Sequence, residues 1–320
     1  MALSRLALGF VLMLAGALAA NAQQPYLNIA DYGAVRGDVD STTRVLNTAL
    51  ETVAEHGLPI YIPAGDWPCG PLKFPYRVGV RLIGAGNGEA FTRQQRENFG
   101  GAMTQLIAVN PNEPLLSIPG SHARIEGLNL LGDGAGVGVL ISKGDRKGIG
   151  SGKHTFERVT ISGFDVGVKC GLEEGEHNND MLTWRNCLFD DCKVAYQTNN
   201  HQSMGHSFDG LRVWDCPLVF DIRAGGELAV RSGLFFGSEL LRLGNVGVNN
   251  RRFSIHGKVD ALHGGNLVAV TSTRKNPAVV RLDLLVSGPH PWVLSRVHPS
   301  VTVEADKVIS QVKPSVLAPE

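Results

Sequence analysis

The chain has 320 residues, of which 43% are hydrophobic and 39 are glycine, with 30 basic side chains balanced by 30 acidic ones. That length is ample for a sizeable core, and the glycine content suits a turn-rich β protein. A formal net charge of zero leaves no basic stripe to track phosphates, so a nucleic-acid partner is not expected.

Arg5 precedes an apolar run from Leu6 to Ala20, and Ala20-Asn21-Ala22 has the small-x-small form of a cleavage site. Residues 1–22 therefore read as a secretory signal peptide cleaved after Ala22, not as a membrane span. No cysteine follows closely enough to take a lipid anchor, and no other stretch reaches spanning length. The mature chain is expected to be secreted or periplasmic. No linker divides it, so residues 23–310 read as one elongated domain and 311–320, with Pro314 and Pro319, as a loose tail.

Asp40 or Ser41 is expected to cap a helix over about 41–55, whose apolar face is Leu46, Leu50 and Val53 with Val45 and Ala49 beside it. Gly57 ends it. Short strands follow at Ile60-Tyr61-Ile62, around Leu72, and over 78–86. Residues 87–101 lack periodicity and read as an insertion, after which strands resume at 106–109, 115–118, 125–130 and 137–141. A polar, glycine-rich excursion from Lys143 to Lys153 leads into a repeat.

The repeat runs from Phe156 to Leu240. With Phe156, Trp184, Phe208 and Leu228 in one column, eight residues on stand Phe164, Cys192, Cys216 and Phe236, and twelve on stand Val168, Tyr196, Phe220 and Leu240. Five on, Ile161, Phe189 and Val213 are apolar and Gly233 is the exception. A fixed phrase with variable spacers marks a solenoid, whose coils bury a face only by stacking on neighbours. Its β-branched and aromatic content makes the coils short strands, so the fold class is all-β: a single-stranded right-handed parallel β-helix with an N-terminal capping α-helix. Less regular coils follow at 253–255, 267–270, 279–284 and 301–303. Cys192 and Cys216 share a register, but parallel stacked Cβ atoms bridge poorly, so an interior ladder of free thiols is expected over a disulfide.

The order Asp31-Tyr32-Gly33-Ala34, Gly37-Asp38, Asp40-Ser41-Thr42, helix, Ile60-Tyr61-Ile62-Pro63-Ala64-Gly65, Gly70-Pro71-Leu72 and Arg81-Leu82-Ile83-Gly84-Ala85-Gly86 resembles the cap and first coils of the pectate-lyase-like superfamily. These are right-handed parallel β-helices and include polygalacturonases, pectate lyases and phage tailspikes. The likeness covers residues 28–86 and implies a fold more than an activity. It departs at Val39, where the family usually has glycine. Further on, Asp190-Asp191-Cys192 is similar to the Asp-Asp-Cys segment of polygalacturonases. Gly163-Phe164-Asp165 stands one coil earlier, where that family has Asn-Thr-Asp-Gly, and Trp214-Asp215-Cys216 one coil later. Gly205-His206-Ser207 departs from the family's Gly-His-Gly, and no Arg-x-Lys follows.

Equal register places Asp191 and Asp215 about one strand spacing apart, roughly 5 Å. Two close carboxylates raise one another's proton affinity, which suits an acid working with a base or nucleophile. Asp191, Asp215, Asp190 and Asp165 are thus the candidate catalytic residues. The plainer reading is that an acid before a cysteine at a tight turn is ordinary β-helix vocabulary. The spacers supply side chains that hydrogen-bond sugar hydroxyls, with His201, Asn200, His177 and Asp180 as candidate substrate contacts, against an asparagine ladder as the plain alternative. Glu157, Arg185 and Asp209 form a column of alternating charge that reads as a solvated ladder.

Two functions remain open. One is an exported polysaccharide-cleaving enzyme, a glycoside hydrolase or a lyase, with uronate-containing glycans among its candidate substrates. A lyase would call for Ca²⁺ on clustered carboxylates; no zinc site or other cofactor is expected. The other is a non-catalytic glycan-binding or surface β-helix. In both the partner is a polysaccharide, and no stalk or coiled-coil segment points to an oligomeric state.

Overall fold

A computed structural model describes residues 26–76, 79–87, 102–143, 150–172, 179–244, 252–260, 265–270, 278–287, 292–293, 301–304 and 309–310. Residues 1–22, read above as a signal peptide, all but Asn87 of the 87–101 stretch, His177 and residues 311–320 lie outside the described residues. The chain winds into a right-handed parallel β-helix, each strand pairing in parallel with its counterpart one coil away. Face A stacks Leu27, Ile60, Leu82, Ile125, Phe156, Trp184 and Phe208 in one inward column. Face B does so with Trp67, Leu106, Leu130, Ile161, Phe189 and Val213. On face C, Leu116, Val139, Val168, Tyr196 and Phe220 follow one another.

Every corner between faces is marked by a column of left-handed residues. The A–B corner stacks Gly127, Arg158, Asn186, Gly210 and Ser232; the B–C corner Gly163, Asp191 and Asp215; the C–A corner His122, Lys153, Met181 and Gly205, all with φ between 49° and 75°. This conformation turns the chain without breaking the inter-coil ladder. Asn186 N donates to Asp209 O at 2.8 Å, Asp191 N to Trp214 O at 3.1 Å and Met181 N to Met204 O at 2.8 Å. A non-glycine residue there costs about 1 kcal/mol or more, which asparagine and aspartate bear best.

The capping helix α1 spans Val39–His56. Its N-terminal cap is Asp38, not Asp40 or Ser41, because Asp38 Oδ1 accepts from Ser41 N at 2.6 Å, three residues on. Val45, Leu46, Ala49 and Leu50 are buried against the first coil. The same helix satisfies the open edge of that coil. Asn47 Oδ1 accepts from Lys73 N at 3.0 Å, its Nδ2 donates to Pro71 O at 3.1 Å, and Thr43 Oγ1 accepts from Gly70 N at 2.8 Å. An unpaired strand edge is the liability this cap removes.

In the core, the Phe156 and Trp184 rings stack at 3.8 Å and Trp184 and Phe208 at 6.0 Å, with Tyr196 set edge-on to Phe208 at 5.0 Å. The fourth coil corrects the sequence alignment. Val230, not Leu228, stands opposite Phe208, and Leu228 faces His206. The position five on is then Phe235, opposite Val213, so the apparent exception at Gly233 disappears. Gly237 stands opposite Cys216 and Leu241 opposite Phe220, because only Phe236 occupies the corner where the previous coil has Trp214 and Asp215. Both coils run through this corner as one strand, Arg212–Ala224 and Glu227–Leu243.

Two neighbouring inward columns trade volume down the stack. One reads Phe164, Cys192, Cys216, Gly237; the other Gly167, Ala195, Val219, Leu240. A Cβ on Gly167 would lie 3.0 Å from Phe189 Cδ1 and 3.4 Å from Cys192 Sγ of the next coil, so this small residue makes room for its neighbour. All five cysteines are free and buried, Cys192 and Cys216 among them as their shared register implied. Burial alone pushes the Cys69 thiol up to about 12.

Candidate functional site

The B–C corner gathers the four candidate acids. Asp191 and Asp215 occupy its left-handed turn on consecutive coils and are both exposed. Asp190, one residue before the turn, is 4% exposed and accepts a hydrogen bond from Ser162 Oγ at 3.2 Å. Asp165 lies two residues past the turn, where Lys193 Nζ approaches its Oδ1 at 2.5 Å and Gly136 N donates to its Oδ2 at 3.4 Å. The Lys193 hydrogen bond holds this carboxyl below the usual range. All four thus lie at one corner, with Asp190 turned into the wall and Asp165 bound to a lysine.

Beside them lies a feature that the sequence pattern hid. Trp214 is the rung partner of Asp190 and points outward from face B, 39% exposed. Its ring sits 4.1 Å from that of Phe236 on the next coil. Arg212, two residues before Trp214 on the same outer side, is also exposed. Outer face B therefore offers a ring pair flanked by a cation and by the Asp191–Asp215 pair. The clue was available in strand alternation: Val213 points inward, so Trp214 must point out.

The spacer candidates lie at the opposite, C–A corner. Asn200 is fully buried, and its Nδ2 donates to Asn179 Oδ1 at 2.6 Å. Asn179 Nδ2 in turn donates to Ile141 O at 3.1 Å and Ser151 O at 3.2 Å. His206 completes the cluster, its Nε2 at 2.5 Å from Asn179 O and its Nδ1 at 2.9 Å from Tyr196 OH. The Nε2–H tautomer, donating to the carbonyl and accepting from the tyrosine, satisfies both contacts. Burial lowers His206 to about 4, and burial with the nearby His122 lowers His154 to about 3. This is an asparagine ladder, the plainer of the two expectations for Asn200. Asp180 is half-buried, accepts from Met204 N at 3.1 Å, and has its pKa raised by that burial. His201 is partly exposed on the same corner.

Ca²⁺ takes six to eight oxygen ligands; among the described residues no three of His, Cys, Asp or Glu are grouped so as to hold a metal ion. Among the described residues, too, no helix is long and apolar enough to cross a membrane. On face A, Glu157, Arg185 and Asp209 do stack in one column. The ion pairs, however, run diagonally, from Arg124 to Glu157 at 3.0 Å and to Glu126 at 3.2 Å, and from Arg158 to Glu126 at 2.7 Å.

No family model and no curated protein matches the chain. Among solved structures it is similar to tailspike protein gp49 of Acinetobacter baumannii bacteriophage Fri1, a capsular polysaccharide depolymerase. That match has 14% identity and a TM-score of 0.50 over 89% of this chain and 58% of the tailspike. The mannuronan C-5 epimerase AlgE6 A-module of Azotobacter vinelandii matches at 14% identity and TM-score 0.43, over 90% of this chain and all of the module. ORF18 of Geobacillus virus E2 matches at 14% identity and TM-score 0.37, over 89% of this chain and 64% of that protein. The chain thus spans less than two thirds of the two phage proteins. The tailspike likeness is one of fold.

Proposed function

We propose that this chain is an exported protein that acts on a polysaccharide lying along outer face B and the B–C corner. The observation that carries the reading is the exposed Trp214, packed on a half-buried Phe236, beside two exposed carboxylates on consecutive coils. Aromatic faces pack against the apolar faces of sugar rings, and carboxylates provide acid, base or nucleophile. In this reading Asp191 and Asp215 are the reacting pair, and their spacing of about one strand suits a retaining hydrolase. Asp190 and Asp165 position the turn, and Arg212 and Lys193 favour an acidic, uronate-containing chain. The fold shared with a capsular polysaccharide depolymerase supports the choice of substrate class.

A second reading, glycan binding without cleavage, is favoured by one fact: Asp191 and Asp215 both hold the left-handed turn, a backbone reason for aspartate that needs no chemistry. The test is to offer the purified protein an array of acidic and neutral polysaccharides. New reducing ends and the absorbance of unsaturated uronates report cleavage; retention on immobilised glycan reports binding. Cleavage that is lost in Asp191→Asn and Asp215→Asn supports the enzyme. Retention without products, unchanged in Asp191→Asn and lost in Trp214→Ala, supports the binder. Neither products nor retention refutes both.

A further inference from the structure

Outer face A points to a partner of a different kind. Between its inward residues it presents two columns. The first is small and flat over five coils, Thr155, Thr183, Ser207, Ala229 and Ser254, and continues into Arg124 and Arg81 at one end and Arg281 at the other. The second is charged: Glu126, Glu157, Arg185, Asp209 and Arg231, followed by His256 after the Val230–Ile255 rung. From Arg185 to His256 this column is exposed. Among the described residues Arg185, Asp209 and Arg231 make no ion pair, whereas Glu126 and Glu157 are shared with Arg124 and Arg158.

We infer that face A docks a second copy of this chain, antiparallel, about a two-fold axis that runs along the strands between Arg185 and Asp209. Such an axis reverses the order of coils but leaves each column opposite itself. Arg185 then meets Asp209 of the other copy, twice by symmetry, Glu157 meets Arg231, and Glu126 accepts a hydrogen bond from His256. Along this charged column every ionised pair has opposite signs; in the neighbouring column the outermost coils bring Arg81 opposite Arg281, whose charge Glu304 shares. A slip that puts the axis on Asp209 sets Asp209 against itself and Arg185 against Arg231. A slip to Arg185 sets Arg185 against itself and Glu157 against Asp209. The charge order therefore selects one register by repelling its neighbours. In that register Thr183 faces Ser207 and Thr155 faces Ala229, small enough for two sheets to approach to about 10 Å. A two-fold contact of this kind is self-complementary by construction. Six rungs of three residues cover roughly 300 Å² per partner, well short of the ~800 Å² of a standard interface, so the dimer is weak and sensitive to salt.

Sedimentation equilibrium of the full chain at about 200 μM, in low salt and again at about 0.5 M salt, tests this. The expected result is a dimer that salt dissociates. Asp209→Arg places arginine against Arg185 twice and should yield monomer at low salt, with an unchanged circular dichroism spectrum. The reciprocal swap Arg185→Asp with Asp209→Arg restores opposite signs and should restore the dimer. A wild-type monomer at low salt, any oligomer that Asp209→Arg leaves intact, or a swap that stays monomeric would overturn the inference.

Discussion

The B–C and C–A corners of this helix turn the chain with the same left-handed backbone, yet treat polar side chains in opposite ways. At C–A, Asn179, Asn200 and His206 are fully enclosed, and each meets a partner within the wall. At B–C, Asp191, Asp215 and Lys193 stand in water. Neutral amides and imidazoles carry both donors and acceptors, so stacked copies can satisfy one another out of solvent. Carboxylates only accept, and burying two side by side would leave charge without compensation. A polar residue at a coil corner is therefore informative about function only after its hydrogen bonds have been counted.

That contrast can be broken most strongly at Asn179. Asn179→Ala strands Ile141 O, Ser151 O and the Asn200 amide inside the wall, and should cost about 3–5 kcal/mol in chemical denaturation. Acid attacks the same corner. His206 is held at about 4, below its unfolded value, so the unfolded chain takes up a proton first as pH falls. Its contribution is complete above about pH 6.5 and is lost as pH drops towards 4, roughly 3 kcal/mol in all. Denaturation midpoints across that range should fall, and His206→Gln should flatten part of the slope. The open corner should respond only to backbone. Asp191→Val forces a β-branched residue into φ 51° and should cost about 1–2 kcal/mol, whereas Asp191→Gly should stay within about 0.5 kcal/mol in the same assay. Trp214→Ala should likewise cost little, under about 1 kcal/mol by thermal melting, although glycan retention should drop several-fold.

Much of the fold was legible because a large apolar residue repeats at one position of each coil, as Phe156, Trp184 and Phe208 do. The reading slipped at Leu228, two residues from the true partner Val230, since both are apolar and hydrophobicity cannot tell them apart. What distinguishes them is the corner that lost a residue at Phe236, a backbone event that leaves no mark on composition. The acids were found by their register. Trp214 was passed over because an aromatic residue within a strand reads as core, and only its alternation with Val213 turns it outward. Asn200 looked like a contact for ligand because a spacer rich in asparagine resembles an exposed loop until its bonds close inward.

The traded volumes of the Phe164 and Gly167 columns bear on how the molecule comes into being. Each coil fits the next through a particular combination of large and small, so the layers are not interchangeable and the stack has a fixed order. Rung partners lie close in the chain: Trp184 follows Phe156 by 28 residues and Phe208 follows Trp184 by 24. Along this repeat each added layer thus closes a loop of similar length onto a surface already formed, at nearly constant entropic cost. An all-parallel sheet is ordinarily slow to assemble because its pairings are distant. Here growth can proceed as a zipper, starting from α1, with each layer templating its successor.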